Sequence, residues 1–140
     1  MTDPFDLNRF VLAQQDHYER ALGEIRSGRK LTHWMWFIFP QIEGLGSSPI
    51  ARRYAIRGVP EAQAYSEHPL LGSRLLESAE AVVSVEGRSA AEIFGSPDDL
   101  KLRSCATLFA HVSPHGSVLD RLLAKYYRGS PDPLTLALIR

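Results

Sequence analysis

Cysteine is nearly missing from this chain. Cys105 stands alone among 140 residues, which excludes an intramolecular disulfide and argues against a cysteine-based zinc site. A surplus of either charge is missing as well: 16 Lys and Arg face 16 Asp and Glu, and the pI is near 7.0. Domains that hold nucleic acid carry a broad basic excess, so nucleic acid is not an expected partner. No apolar run approaches the ~20 residues that span a bilayer, so no membrane partner is expected. The first residues, Met1 to Leu7, are acidic and lack the apolar segment of a secretory leader. Together these absences place the chain in the cytoplasm. Internal repeats, low-complexity stretches and long linkers are absent too, so residues 1–140 are read as one domain.

What is present is unevenly spread. From Arg20 to Arg57 seven basic residues meet two acidic ones, a net of +5, whereas from Gly58 to Asp99 eight acidic residues meet two basic ones, a net of −6. The basic half contains the most unusual stretch of the protein, His33-Trp34-Met35-Trp36-Phe37-Ile38-Phe39-Pro40-Gln41, and then Gly44-Leu45-Gly46-Ser47-Ser48. Both tryptophans lie there. A run this apolar must be buried, and the polar groups at its ends must then find partners. A positive field around it favours an anionic ligand; equally, the charges can simply keep an apolar segment solvated.

The periodicity is helical. Leu7, Val11, Gln14, Tyr18, Ala21 and Ile25 form one stripe, Leu71, Leu75, Ala79 and Val82 a second, and Val118, Leu119, Leu122, Leu123 and Tyr126 a third. Segments opening on Pro60, Pro69, Pro97 and Pro133 read as helix starts, where the missing N–H costs nothing. The last of them, 133–139, is expected to bury Leu134, Leu138 and Ile139. Ser104 to Val112 has no formally charged side chain with His111 neutral, which predicts a central, covered helix. Only 34–39 could be a strand, and it has no partner. The expected fold is all-α, a compact single domain of six to eight helices.

Several polar residues could carry chemistry. Gln14 sits on an apolar stripe, where its amide either faces a ligand or bonds the irregular backbone of 34–41. His33 and Gln41 close the aromatic run; His33 could serve as a general acid or base, or simply edge the core. Gly44 to Ser48 leads into a helix expected over 50–56, an arrangement that can bind anions, although it matches neither a dinucleotide fingerprint nor a Walker loop. Lys101, Ser104, Thr107 and His111 share the central helix, where Ser and Thr either face a pocket or bond back to a carbonyl four residues earlier. No metal site is expected: Pro114 separates His111 from His115, and Asp98-Asp99 suits a helix start.

Over nearly the whole chain these segments resemble a bacterial and fungal family of unknown function, some of whose members carry a calpastatin label. The resemblance rests on Ala13-Gln14 with Tyr18, the 33–41 and 44–48 motifs, Tyr54-Ala55-Ile56, Glu61-Ala62 with Tyr65, and His68 to Leu75. It continues through Ile93-Phe94-Gly95, Asp98, Lys101-Leu102, Ser104, Thr107-Leu108-Phe109, Gly129, Asp132 and Thr135-Leu136. The chain departs from the family pattern at Ser66 and at Cys105-Ala106. The resemblance implies an all-helical domain and no established activity. Its motif residues imply one shared polar pocket formed by Gln14, Tyr18, His33, Trp36, Gln41, Arg74, Lys101, Ser104 and Thr107. A looser similarity in size and helical layout links the chain to NADAR-type ADP-ribose glycosidases, by analogy only.

Three functions follow as expectations. The first is an anionic or nucleotide-like small molecule held in that pocket, without a cofactor; if catalytic, the reaction would be hydrolysis or glycosidic transfer with His33 or Glu61 as base. The second is a non-catalytic interaction domain whose motif is structural. The third is an ADP-ribose-type N-glycosidase. No oligomeric state is specified.

Overall fold

A computed structural model describes residues 2–139. It contains ten helices: α1 (Asn8–Gln15), α2 (Tyr18–Arg26), α3 (Met35–Ile38), α4 (Pro49–Arg53), α5 (Val59–Glu67), α6 (Leu71–Val83), α7 (Ala90–Phe94), α8 (Asp98–His111), α9 (Val118–Tyr127) and α10 (Pro133–Leu138). Six of them exceed two turns, and the excess over the expected number consists of helices of four to six residues, too short to leave a periodic signature. The fold is an all-helical single domain around one apolar core.

The central element is α8, which packs against α5, α7, α9 and α10. Its residues from Ser104 to Phe109 are all buried, as a helix without charge in that stretch must be. α6 presents Leu71, Leu75, Ala79 and Val82 inward and packs against α2, α5 and α9. The helices approach closely where α5 turns into α6: a Cβ on Gly72 would lie 2.1 Å from the Ser66 carbonyl oxygen, so only glycine fits. The turn is capped by His68, whose Nδ1 accepts from the amides of Leu70 and Leu71 at 3.2 Å.

Three local expectations differ from the structure. The first stripe is split into α1 and α2, because the His17 amide bonds back to Gln14 and its carbonyl immediately starts the next helix. The apolar spacing passes through that break unchanged, so it does not show in the sequence. The 34–39 run, which has no strand partner, makes the single turn α3 in keeping with the all-helical reading, halted at Phe39 ahead of Pro40. The helix expected over 50–56 stops at Arg53 because Ile56 is claimed by a parallel bridge to Ile42, with Ile56 N to Gln41 O at 2.8 Å and Glu43 N to Ile56 O at 2.7 Å. Finally, α10 does not bury its leucines: Leu134 is 65% and Leu138 47% exposed, whereas Thr135 is fully buried. Asp132 is the reason. Its Oδ2 accepts from the Thr135 amide and hydroxyl and from Ser104 of α8, so α10 docks through its polar face.

Candidate functional site

Of the nine residues expected to share one pocket, seven divide between two places, and α3 joins them. On one side Gln14 is 1% exposed. Its amide donates to the Phe37 carbonyl at 2.8 Å and to the Tyr65 hydroxyl at 3.1 Å. Its oxygen receives a longer bond, 3.4 Å, from Arg74 Nη1. The Arg74 guanidinium stacks 4.6 Å from the Tyr18 ring, and the Tyr18 hydroxyl donates to Glu77. Burial and that carboxylate push the Tyr18 phenol well above its usual range. Gln14, Tyr18 and Arg74 therefore form a polar seam that fastens α1, α2 and α6 to the α3 backbone.

On the other side Trp36, Gln41, Lys101 and Ser104 line a cleft of about 480 Å³ between α8, the 44–46 loop and α10. Leu45, Gly46, Pro97, Leu100, Arg103, Asp132 and Leu134 complete its wall. Gly46 is there because a Cβ would fall 2.8 Å from that of Ala51, with the Trp36 ring 3.8 Å away on another side. The Lys101 ammonium sits 3.8 Å from the centre of the Trp36 indole and 3.1 Å from Asp98 Oδ1. Asp98 Oδ2 in turn pairs with Lys30 at 3.0 Å, and Lys30 lies over Trp34. Burial opposes the charge of Asp98, but the two lysines outweigh it and hold the carboxyl below its usual range. Each tryptophan thus carries a lysine, and one aspartate bridges the pair. Neither the Gln41 carboxamide nor the Trp36 indole N–H has a hydrogen-bond partner among the described residues.

The remaining two expected residues, His33 and Thr107, sit differently. His33 is exposed and does not line the cleft. Thr107 and Ser104 are held in structural bonds. Thr107 donates to the Arg103 carbonyl and accepts from the Asp132 amide, and Ser104 lies 3.1 Å from the Leu100 carbonyl and 2.9 Å from Asp132 Oδ2. Ser104 nevertheless presents an edge to the cleft. Glu61, considered as a base, is 1% exposed and paired at 2.8 Å with Arg9, whose guanidinium also donates to four backbone carbonyls. That pair closes the 53–57 segment onto α1 and has no path to a ligand. The 44–48 loop is likewise turned to structure: Ser48 caps α4 through the Ala51 amide, Pro49 offers no N–H, and Arg52 bonds the Ser47 carbonyl.

The sequence reading missed Arg103, Leu100, Asp132 and Leu134 as cleft residues. Leu100 stands at i−4 from Ser104, and Arg103 at i+3 from Leu100, so helix geometry could have added them once Ser104 was singled out. Asp132 and Leu134 arrive from the far end of the chain, and nothing local points to the cleft.

A family model described as "Protein of unknown function (DUF1810)" matches residues 4–139. The chain belongs to this family. A solved structure of similar fold is the crystal structure of the conserved hypothetical protein Rv1873 from Mycobacterium tuberculosis: 56% identity, 98% of each chain covered, TM-score 0.96. No curated protein matches. DUF1810 membership thus carries the fold and attaches no chemistry to it. No helix among the described residues is long and apolar enough to cross a membrane.

Proposed function

We propose that this chain binds a small anionic molecule in the cleft between α8 and the Trp36–Gln41 segment, and that it does so in the cytoplasm. One observation carries the reading: an indole, an unpartnered carboxamide and an ammonium converge on one concave space, at Trp36, Gln41 and Lys101. Binding sites are commonly apolar clefts of roughly 300–1,000 Å³ with a few convergent polar groups. Lys101 supplies the charge, and the free nitrogen of Arg103, Nη1, adds to it.

A hydrolytic or glycosidic reaction draws no support from this arrangement. Glu61 is sealed, His33 points elsewhere on the surface, and the Asp132 carboxylate is occupied by three donors. The rival reading is a protein-interaction face, favoured by the exposed leucines of α10.

A thermal-shift screen of carboxylates, phosphorylated metabolites, nucleotides and ADP-ribose tests the proposal. A ligand at about 100 times its dissociation constant adds ~2.7 kcal/mol, several degrees for a domain of this size. Trp36 is a built-in reporter. A hit that changes the fluorescence of the native protein and loses that change in Trp36→Phe supports the cleft, and a hit indifferent to Trp36→Phe refutes it.

A further inference from the structure

The cleft's own charges narrow the ligand, and this step rests on the binding reading above. We infer that the cleft takes an amphipathic monocarboxylate, an apolar body carrying a single negative charge, and rejects polyphosphates.

The charge count is small. Lys101 and Arg103 face the cleft together with Asp132, and behind Lys101 stand Asp98 and Lys30. The group carries one positive charge more than it has negative ones. A lysine sharing one carboxylate with a second lysine can turn its remaining N–H donors to an incoming anion without stranding Asp98, which keeps Lys30. One anionic charge closes this balance.

Polyphosphate sites look different. They present a fan of backbone N–H groups at a glycine loop or helix start. The start of α4 offers no such fan: the hydroxyl of Ser48 takes the Ala51 amide and Pro49 has none. The start of α8 borders the cleft through Pro97, and its first turn carries Asp98 and Asp99. Asp132 stands in the wall itself and Asp98 behind Lys101, so a nucleoside triphosphate would bring its charge against both.

The walls, by contrast, suit an apolar body. Trp36, Leu45, Pro97, Leu100 and Leu134 line the space, with Leu100 55% and Leu134 65% exposed. Apolar side chains left open along a cleft are covered when an apolar body enters. The unpartnered amide of Gln41 can donate to the carboxylate or to a polar substituent on the body.

Isothermal titration of the full chain with four probes is the test: phenylacetate, its neutral isostere phenylacetamide, inorganic phosphate and ATP. Phenylacetate should bind, and the amide, phosphate and ATP should each bind about tenfold more weakly or less. Lys101→Gln should weaken phenylacetate by about tenfold and leave phenylacetamide unchanged, and Leu134→Ser should weaken both. ATP binding more tightly than phenylacetate, yet lost in Lys101→Gln, overturns the ligand class while leaving the cleft in place. Equal affinity for phenylacetate and phenylacetamide also overturns the class. Binding that survives both variants, or no binding of any probe at millimolar concentration, overturns the cleft reading with it.

Discussion

Buried polar side chains divide the motif between stability and binding. Gln14 satisfies Phe37 and Tyr65 together. Its replacement by Ala strands a carbonyl and a phenol in the core, so Gln14→Ala should lower unfolding free energy by roughly 1–3 kcal/mol in urea titration. It should leave binding at the cleft unchanged at saturating protein stability. Glu24 makes a stronger claim. Burial works against its charge. The Thr32 hydroxyl, the Leu31 and Thr32 amides and the Trp34 indole reverse that, and hold the carboxyl at about 2. The folded state therefore binds fewer protons than the unfolded chain between the ordinary value of 4.5 and about 2. Its contribution, on the order of 3 kcal/mol, is complete above that window and is lost as pH falls through it. Native protein should show a steep loss of stability below pH ~4.5, and Glu24→Gln should be less stable at neutral pH with a flatter acid limb. Denaturant midpoints measured across the acid range decide this. None of it is visible from Glu24 itself, which reads as an outward residue of α2; the partners come from the loop after the helix.

At the scale of elements, the sequence showed the long helices and hid their junctions. The stripes of α6 and α9 are unbroken and were legible at once. The α1–α2 break was not, since a register that resumes within one turn leaves the apolar spacing intact. α3 was ambiguous because an apolar run of six residues fits either period. The apolar composition of α10 does not translate into burial, because the Asp132–Ser104–Thr135 cluster sets its orientation instead. These junctions are where substitutions should be felt most. Gly72→Ala forces a methyl into the Ser66 carbonyl at 2.1 Å, so α5 and α6 must part. The expected cost is about 1–3 kcal/mol, read as a lower midpoint in chemical denaturation, whereas Gly23→Ala, with nothing within 4 Å, should be neutral or stabilising. Glu61→Ala removes one half of a pair that joins α5 to α1 and leaves Arg9 buried without its counter-charge. A loss of about 3–5 kcal/mol is expected, enough to unfold much of the protein.

For the whole molecule, the division of the motif into a seam and a cleft explains why the site was only half legible. The sequence placed aromatic, amide and basic groups in one motif, and Trp36, Gln41, Lys101 and Ser104 do meet. Gln14, Tyr18 and Arg74 meet one another instead, because α3 shows its Phe37 carbonyl to α1 and its Trp36 ring to α8. Part of the remaining wall, Leu134, comes from the far C-terminal helix and is a side chain the core does not need. That difference separates a ligand cleft from a structural groove. Leu134 is 65% exposed, so Leu134→Ser should change stability by no more than about 0.5 kcal/mol. If the cleft holds an apolar body, the same substitution should weaken that ligand several-fold. If the face instead meets a protein, Leu134→Ser should leave small-molecule titrations untouched and abolish a partner's capture together with Leu138→Ser, whose side chain lies on the same face four residues on and packs over Gly44. Urea unfolding and calorimetric titration of the one variant separate the two readings without knowledge of the natural ligand.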